Sequence, residues 1–161
     1  MESLLPIADR IAARLKQRGE RVSVAESSAG GLMSAALLSV PGASAYFVAG
    51  AVVYTAKARG TLMNLSRDDV SGVRSASEPY ALILARTACD RFGTEWGLSE
   101  TGAAGPTGNP YGDAAGHTCI AVVGPDTEIA ITIETGDADR LANMRAFARE
   151  ALELLARALD A

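Results

Sequence analysis

The sequence predicts a three-layer α/β/α sandwich around a mostly parallel mixed sheet, in a single domain. Three observations carry that expectation. Extended apolar runs alternate with runs of helical periodicity along the chain, the pattern of strands joined by crossover helices. The last two extended runs are separated only by Gly124-Pro125-Asp126-Thr127, which reads as one terminal hairpin. The 161 residues, 48% hydrophobic and 21% charged, suit one soluble domain with a real core.

In chain order, Leu4, Leu5, Ile7, Ala8, Ile11, Ala12 and Leu15 recur at helical spacing, and Gly19 closes that helix. Val22 to Ala25 reads as a short buried strand. A second helix is expected from about Gly30 to Leu38, stopped before Pro41-Gly42. Phe47 to Tyr54 is β-rich with a glycine inside, so a buried strand with a close backbone approach is expected. A short helix follows over Ala56 to Met63. Ser77-Glu78-Pro79 opens another, whose apolar side is Leu82, Leu84, Ala85 and Ala88. Trp96 to Ser99 forms a short strand. Gly102 to Gly112 is too rich in Gly and Pro for regular structure. His117 to Val123 and Glu128 to Ile133 are the hairpin strands, and a last helix covers about Asp139 to Leu159.

In an open α/β sheet, ligands bind beyond the carboxyl ends of the strands. Those ends carry Glu26-Ser27-Ser28, Tyr54-Thr55 and Glu100-Thr101-Gly102, so three polar clusters converge on one rim. The first is the most informative. Val24-Ala25-Glu26-Ser27-Ser28-Ala29-Gly30-Gly31 delivers two hydroxyls to a helix N-terminus, where unpaired N–H groups and the helix dipole favour a phosphate or an oxyanion. The same residues also fit an ordinary strand-to-helix turn with Ser28 as N-cap.

Composition excludes several classes. A net charge of −4 gives no basic footprint for nucleic acid. No apolar run reaches the length of a membrane span, and Met1 to Lys16 is amphipathic rather than signal-like. Cys89 and Cys119 form no C-x-x-C and read as small core residues in a reducing cytoplasm. One histidine rules out a multi-histidine metal site, and the glycine-rich loop lacks the G-K-[ST] of a nucleoside-triphosphate-binding loop. His117 reads as a structural or solvent-facing residue. Glu26, after an apolar strand, needs a partner, either a backbone N–H or Arg59.

Six segments in the same order give the chain a specific resemblance. Ala25 to Gly31 (AESSAGG) is similar to A-E-S-C-T-G-G, and Pro41-Gly42-Ala43-Ser44 to a proline-glycine-serine-serine break. Val52-Val53-Tyr54 resembles a V-x-Y strand end, and Ser75-Ala76-Ser77-Glu78 an A-V-S-E helix start. Thr101 to Gly108 (TGAAGPTG) is similar to T-G-I-A-G-P-x-G, and Gly136-Asp137 with Arg140 and Arg145 to a G-D-R segment followed by a second arginine. These are motifs of the CinA C-terminal domain family of bacterial nicotinamide mononucleotide deamidases, and the resemblance spans about residues 5 to 158.

The resemblance implies a cytoplasmic, self-associating amidohydrolase that removes ammonia from the carboxamide of a nucleotide, with a serine nucleophile, a lysine base and no metal or other cofactor. Ser27 matches the nucleophile. Glu26, Ser28, Gly30, Gly31, Thr101, Gly102, Gly105, Gly108 and Arg140 match positions that would frame the substrate, and Tyr111 in the glycine loop is placed either to stack on its ring or simply in solvent.

One position departs from the pattern. The family's Y-S-N-E-A-K aligns with Tyr54-Thr55-Ala56-Lys57-Ala58-Arg59, so Arg59 stands where the base lysine belongs. A lysine serves as base because its surroundings can bring its pKa near neutrality. An ordinary guanidinium is neutral in only about one molecule in 10⁵ at pH 7, and supplying that form costs on the order of 7 kcal/mol. Three possibilities follow. Lys57 takes over, although two residues along a helix is a rotation of about 200°. Tyr54, or Glu26 through water, serves with poorer chemistry. Or the protein binds a nucleotide without hydrolysing it well, Arg59 gripping a phosphate or carboxylate.

Overall fold

In the computed structural model, which describes residues 1–161, five strands lie in the order β2-β1-β3-β4-β5. They are β1 (Val22–Glu26), β2 (Phe47–Val52), β3 (Trp96–Ala103), β4 (His117–Gly124) and β5 (Thr127–Glu134). The helices are α1 (Leu5–Arg18), α2 (Leu32–Leu38), α3 (Ala56–Met63), α4 (Glu78–Phe92) and α5 (Arg140–Asp160). Strand β1 is central and pairs in parallel with β2 and β3, whereas β3 with β4 and β4 with β5 are antiparallel.

The sheet separates two apolar cores, which gives three layers. On one face α1, α2 and α5 bury Ile11, Leu15, Met33, Leu37, Phe147 and Leu152 against Val22, Val24, Leu98 and Ile120. On the other, α3 and α4 bury Met63, Leu84 and Ala88 against Ala25, Ala51 and Val53, with Ala81 and Ala85 on Cys119 and Ala121. Each fully buried Leu- or Phe-sized side chain contributes about 1.5–3 kcal/mol. Both cysteines are free, and Cys119 is a core residue. No helix is long and apolar enough to cross a membrane.

Two strands differ from their expected form. β3 does not stop at Ser99 but continues through Glu100, Thr101 and Gly102 to Ala103, because it pairs with β4 from Gly97↔Val123 down to Ala103↔His117. Gly102 thus belongs to the sheet rather than to a loop. A Cβ there would lie 2.3 Å from the His117 carbonyl oxygen, so only glycine allows this approach. β2 is an edge strand, not a buried one: with β1 on one side only, it leaves Val48 and Val52 exposed. Its expected close approach is present, since a Cβ on Gly50 would meet the Ser34 hydroxyl at 2.1 Å.

Candidate active site

β1 carries a fully buried run to its last residue, Glu26. Positive φ at Gly30 (67°) and Gly31 (96°) then folds the chain back tightly enough for the Glu26 carboxylate to face the helix that follows. One oxygen accepts from the backbone N–H of Gly31 at 2.9 Å and of Met33 at 3.0 Å. The other accepts from the Ser34 N–H at 2.8 Å and the Ser34 hydroxyl at 2.5 Å. The partner of Glu26 is therefore backbone N–H, not Arg59.

Several expectations change as a result. The first-turn donors of α2 are occupied by the protein's own carboxylate, so this helix start is not an open anion site. Glu26 is buried with both oxygens engaged and presents nothing to a substrate. Ser28 does not cap α2; Gly31 holds the N-cap position without a side-chain bond. Gly30 and Gly31 shape the turn instead of lining the cavity beside Ser27.

A second carboxylate secures the turn from the other side. Glu100, fully buried in β3, accepts from the N–H groups of Ser27 at 3.0 Å and Ala29 at 2.8 Å. It also accepts from the hydroxyls of Ser28 at 2.5 Å and Thr118 at 3.0 Å. Burial pushes the Glu100 carboxyl above its ordinary range, against the pull of these four donors. Sequence reasoning placed Glu100 on the converging rim but gave it no role. A carboxylate directly after the short Trp96 to Ser99 strand, as Glu26 follows Val22 to Ala25, was the available signal.

Ser28 is thus a donor to a buried carboxylate. Ser28→Ala should cost about 1–3 kcal/mol, read as a shift of the urea midpoint, because the carboxylate loses one of its bonds. A loss below about 0.5 kcal/mol would mean that the Ser28–Glu100 bond contributes little.

The predicted convergence is present. Ser27 after β1, Tyr54 and Thr55 after β2, and Thr101 and Gly102 in β3 line one cavity of about 290 Å³. Ser27 is half-buried there, its backbone held by Glu100. Thr55 caps α3, its hydroxyl oxygen accepting from the Ala58 N–H at 3.1 Å, and this sets the helix's rotation. Arg59 consequently lines the cavity, while Lys57 is exposed and lies outside its lining. The Arg59 Nε donates to the Leu65 carbonyl at 3.4 Å. Tyr111, 52% exposed, lines the cavity from the glycine loop.

On the opposite flank a cavity of about 210 Å³ is lined by Ser28, Tyr54, Gly102, Gly105, Gly108 and Arg140, among others. Arg140, the first residue of α5, donates to the Gly105 carbonyl at 2.7 Å and to the Tyr54 hydroxyl at 3.4 Å. Arg145 is exposed farther along α5 and lines neither cavity.

His117 is structural. It is buried in β4, with Nδ1 2.5 Å from a Glu134 oxygen and Nε2 2.9 Å from the Ala76 carbonyl. Burial opposes its charge, but the bonds to Glu134 and Ala76, with the charges of Asp113 and Glu134, outweigh it and raise its pKa. A raised folded-state pKa adds stability below the ordinary histidine value, and that stability is lost as pH rises through the folded value. The urea midpoint of the wild type should therefore fall as pH rises from about 6 through the raised value, and His117→Gln should flatten the slope. Identical slopes in the two proteins would refute this.

The CinA C-terminal domain family model matches residues 4–159. A CinA-like protein of Anaeromyxobacter dehalogenans (strain 2CP-1 / ATCC BAA-258) is 38% identical over 154 residues, 95% of this chain and 37% of that protein. A CinA-like protein of Chlorobium limicola is 34% identical over 140 residues, 87% of this chain and 32% of the relative. The chain thus spans about a third of the length of these relatives. The competence/damage-inducible protein CihA of Agrobacterium tumefaciens superposes with a TM-score of 0.89 at 30% identity, covering 98% of this chain and 96% of that one. A CinA superfamily protein of Klebsiella pneumoniae superposes with a TM-score of 0.90 at 23% identity, covering 98% of each chain, a likeness of fold.

Proposed function

The chain belongs to the CinA C-terminal domain family, and from that premise we propose that it is a nicotinamide-nucleotide amidohydrolase slowed by the arginine at its base position. The observation that supports this best is Ser27 on the wall of a cavity that also holds Arg59, with the serine's backbone fixed by Glu100. The substrate is nicotinamide mononucleotide or a close relative. The Ser27 hydroxyl oxygen attacks the carboxamide carbon, the C–N bond breaks, and the departing nitrogen takes the serine's proton and leaves as ammonia. Water then cleaves the resulting ester to the carboxylic acid and restores Ser27.

Arg59 supplies positive charge where the tetrahedral oxyanion and the product carboxylate form, but cannot take a proton. Of the alternative bases, Glu26 falls away because both its oxygens are engaged, and Lys57 because it is exposed outside the cavity. Tyr54 lines the cavity and remains a candidate. The missing base costs about 10²–10⁴ in rate. On this reading the protein works in the cytoplasm as a homo-oligomer, without metal or organic cofactor.

The same exclusion of Lys57 favours a second reading, a nucleotide-binding module without turnover. Incubation of purified protein with nicotinamide mononucleotide separates the two. Ammonia released above the protein-free rate supports the amidohydrolase; measurable binding with no release supports the module.

A further inference from the structure

The Ser27 cavity, at about 290 Å³, lies at the small end of ligand sites, which run from about 300 to 1,000 Å³. A cleft of about 850 Å³ adjoins it. Ala56, Arg59, Ser75 and Tyr111 line both, so the two form one continuous space.

The outer wall of the cleft is the segment between α3 and α4. Leu65 and Val70 anchor it in the α4-side core, and Asp69 locks its turn by accepting from the Ser66 N–H at 2.7 Å and hydroxyl at 2.6 Å. The lining combines apolar Leu65, Val70 and Val73 with three guanidinium groups, Arg59, Arg67 and Arg74. Arg74 is committed to Asp113. Arg59 bonds only a backbone carbonyl, and exposed Arg67 is in no ion pair. Of the acids, Asp113 is taken by Arg74 and Asn109, and Asp69 by Ser66. Asp68 is the one carboxylate on the lining. Asp69, though bonded to Ser66, keeps a negative charge that acts on Arg59, so Arg67 is the guanidinium of the lining left without a committed partner. On the opposite flank, Arg140 is already bonded to Gly105 and Tyr54.

We propose that this cleft binds the phosphate-bearing part of the substrate, Arg67 gripping the phosphate oxygens while the carboxamide lies at Ser27 beside Arg59. A guanidinium offers paired donors matched to a phosphate, and an apolar floor beside it suits a sugar or ring. The position of the carboxamide rests on the amidohydrolase reading; the anion site does not.

The test is calorimetric titration of the full chain with inorganic pyrophosphate, nicotinamide mononucleotide and phosphate-free nicotinamide riboside. Arg67→Ala, an exposed change that leaves the fold intact, should weaken pyrophosphate and the mononucleotide about tenfold or more. It should leave the riboside unchanged, and pyrophosphate should displace the mononucleotide. Pyrophosphate binding that is absent, or equal in the variant, overturns the proposal. So does Arg67-dependent pyrophosphate binding that the mononucleotide cannot displace, since the cleft would then hold a separate anion. Competitive, Arg67-dependent binding without any ammonia release keeps the anion site and removes the amidohydrolase instead.

Discussion

Arg59→Lys should raise ammonia release from nicotinamide mononucleotide by about 10²–10⁴-fold, the usual worth of a positioned general base. The side chain enters the Ser27 cavity from α3, whose start is fixed by the Thr55 cap. A lysine there keeps a cation but adds a group whose pKa burial and neighbours can lower, which a guanidinium does not permit. Lys57→Ala should leave the wild-type rate unchanged, because that residue is exposed outside the cavity. A gain below about threefold for Arg59→Lys, or loss of activity in Lys57→Ala, would show that another group already takes the proton.

Ser27→Ala should abolish turnover and change stability by less than about 0.5 kcal/mol. The restraint on this residue runs through its backbone N–H to Glu100, and alanine keeps that bond. Its half-buried side chain faces a cavity, so no packed core is opened. The contrast with Ser28 is sharp. Ser28→Ala removes a donor from a fully buried carboxylate, so its main effect is on stability. Activity that survives Ser27→Ala and disappears with Ser28→Ala, in a protein that stays folded, would move the nucleophile to the second hydroxyl.

The order of elements and the meeting of three strand ends were legible in the sequence, because each apolar run stops at a polar cluster and alternation forces a common rim. Helical rotation alone put Arg59 and Lys57 on different sides of α3, and the structure decides that Arg59 is the one in the cavity. What was not legible depends on contacts remote along the chain. Ser28 looks like an N-cap when only its neighbours are considered, yet its hydroxyl bonds Glu100, 72 residues away. Glu26 looks available at the end of a strand, but the Gly30-Gly31 turn brings the helix N–H groups onto it. The Gly-rich stretch after Ser99 reads as loop by composition, and pairing with β4 overrides that for its first residues. The Arg67 cleft has no local signature, since its parts come from α3, the segment before α4 and the glycine loop.

The most direct test of the central claim is the ammonia-release rate of Arg59→Lys compared with that of the double variant Arg59→Lys, Ser27→Ala. The claim is that Ser27 carries the reaction in a cavity where arginine has replaced the base. The account predicts a rate well above wild type for the single variant and none above the protein-free background for the double. A double variant as fast as the single one would contradict it.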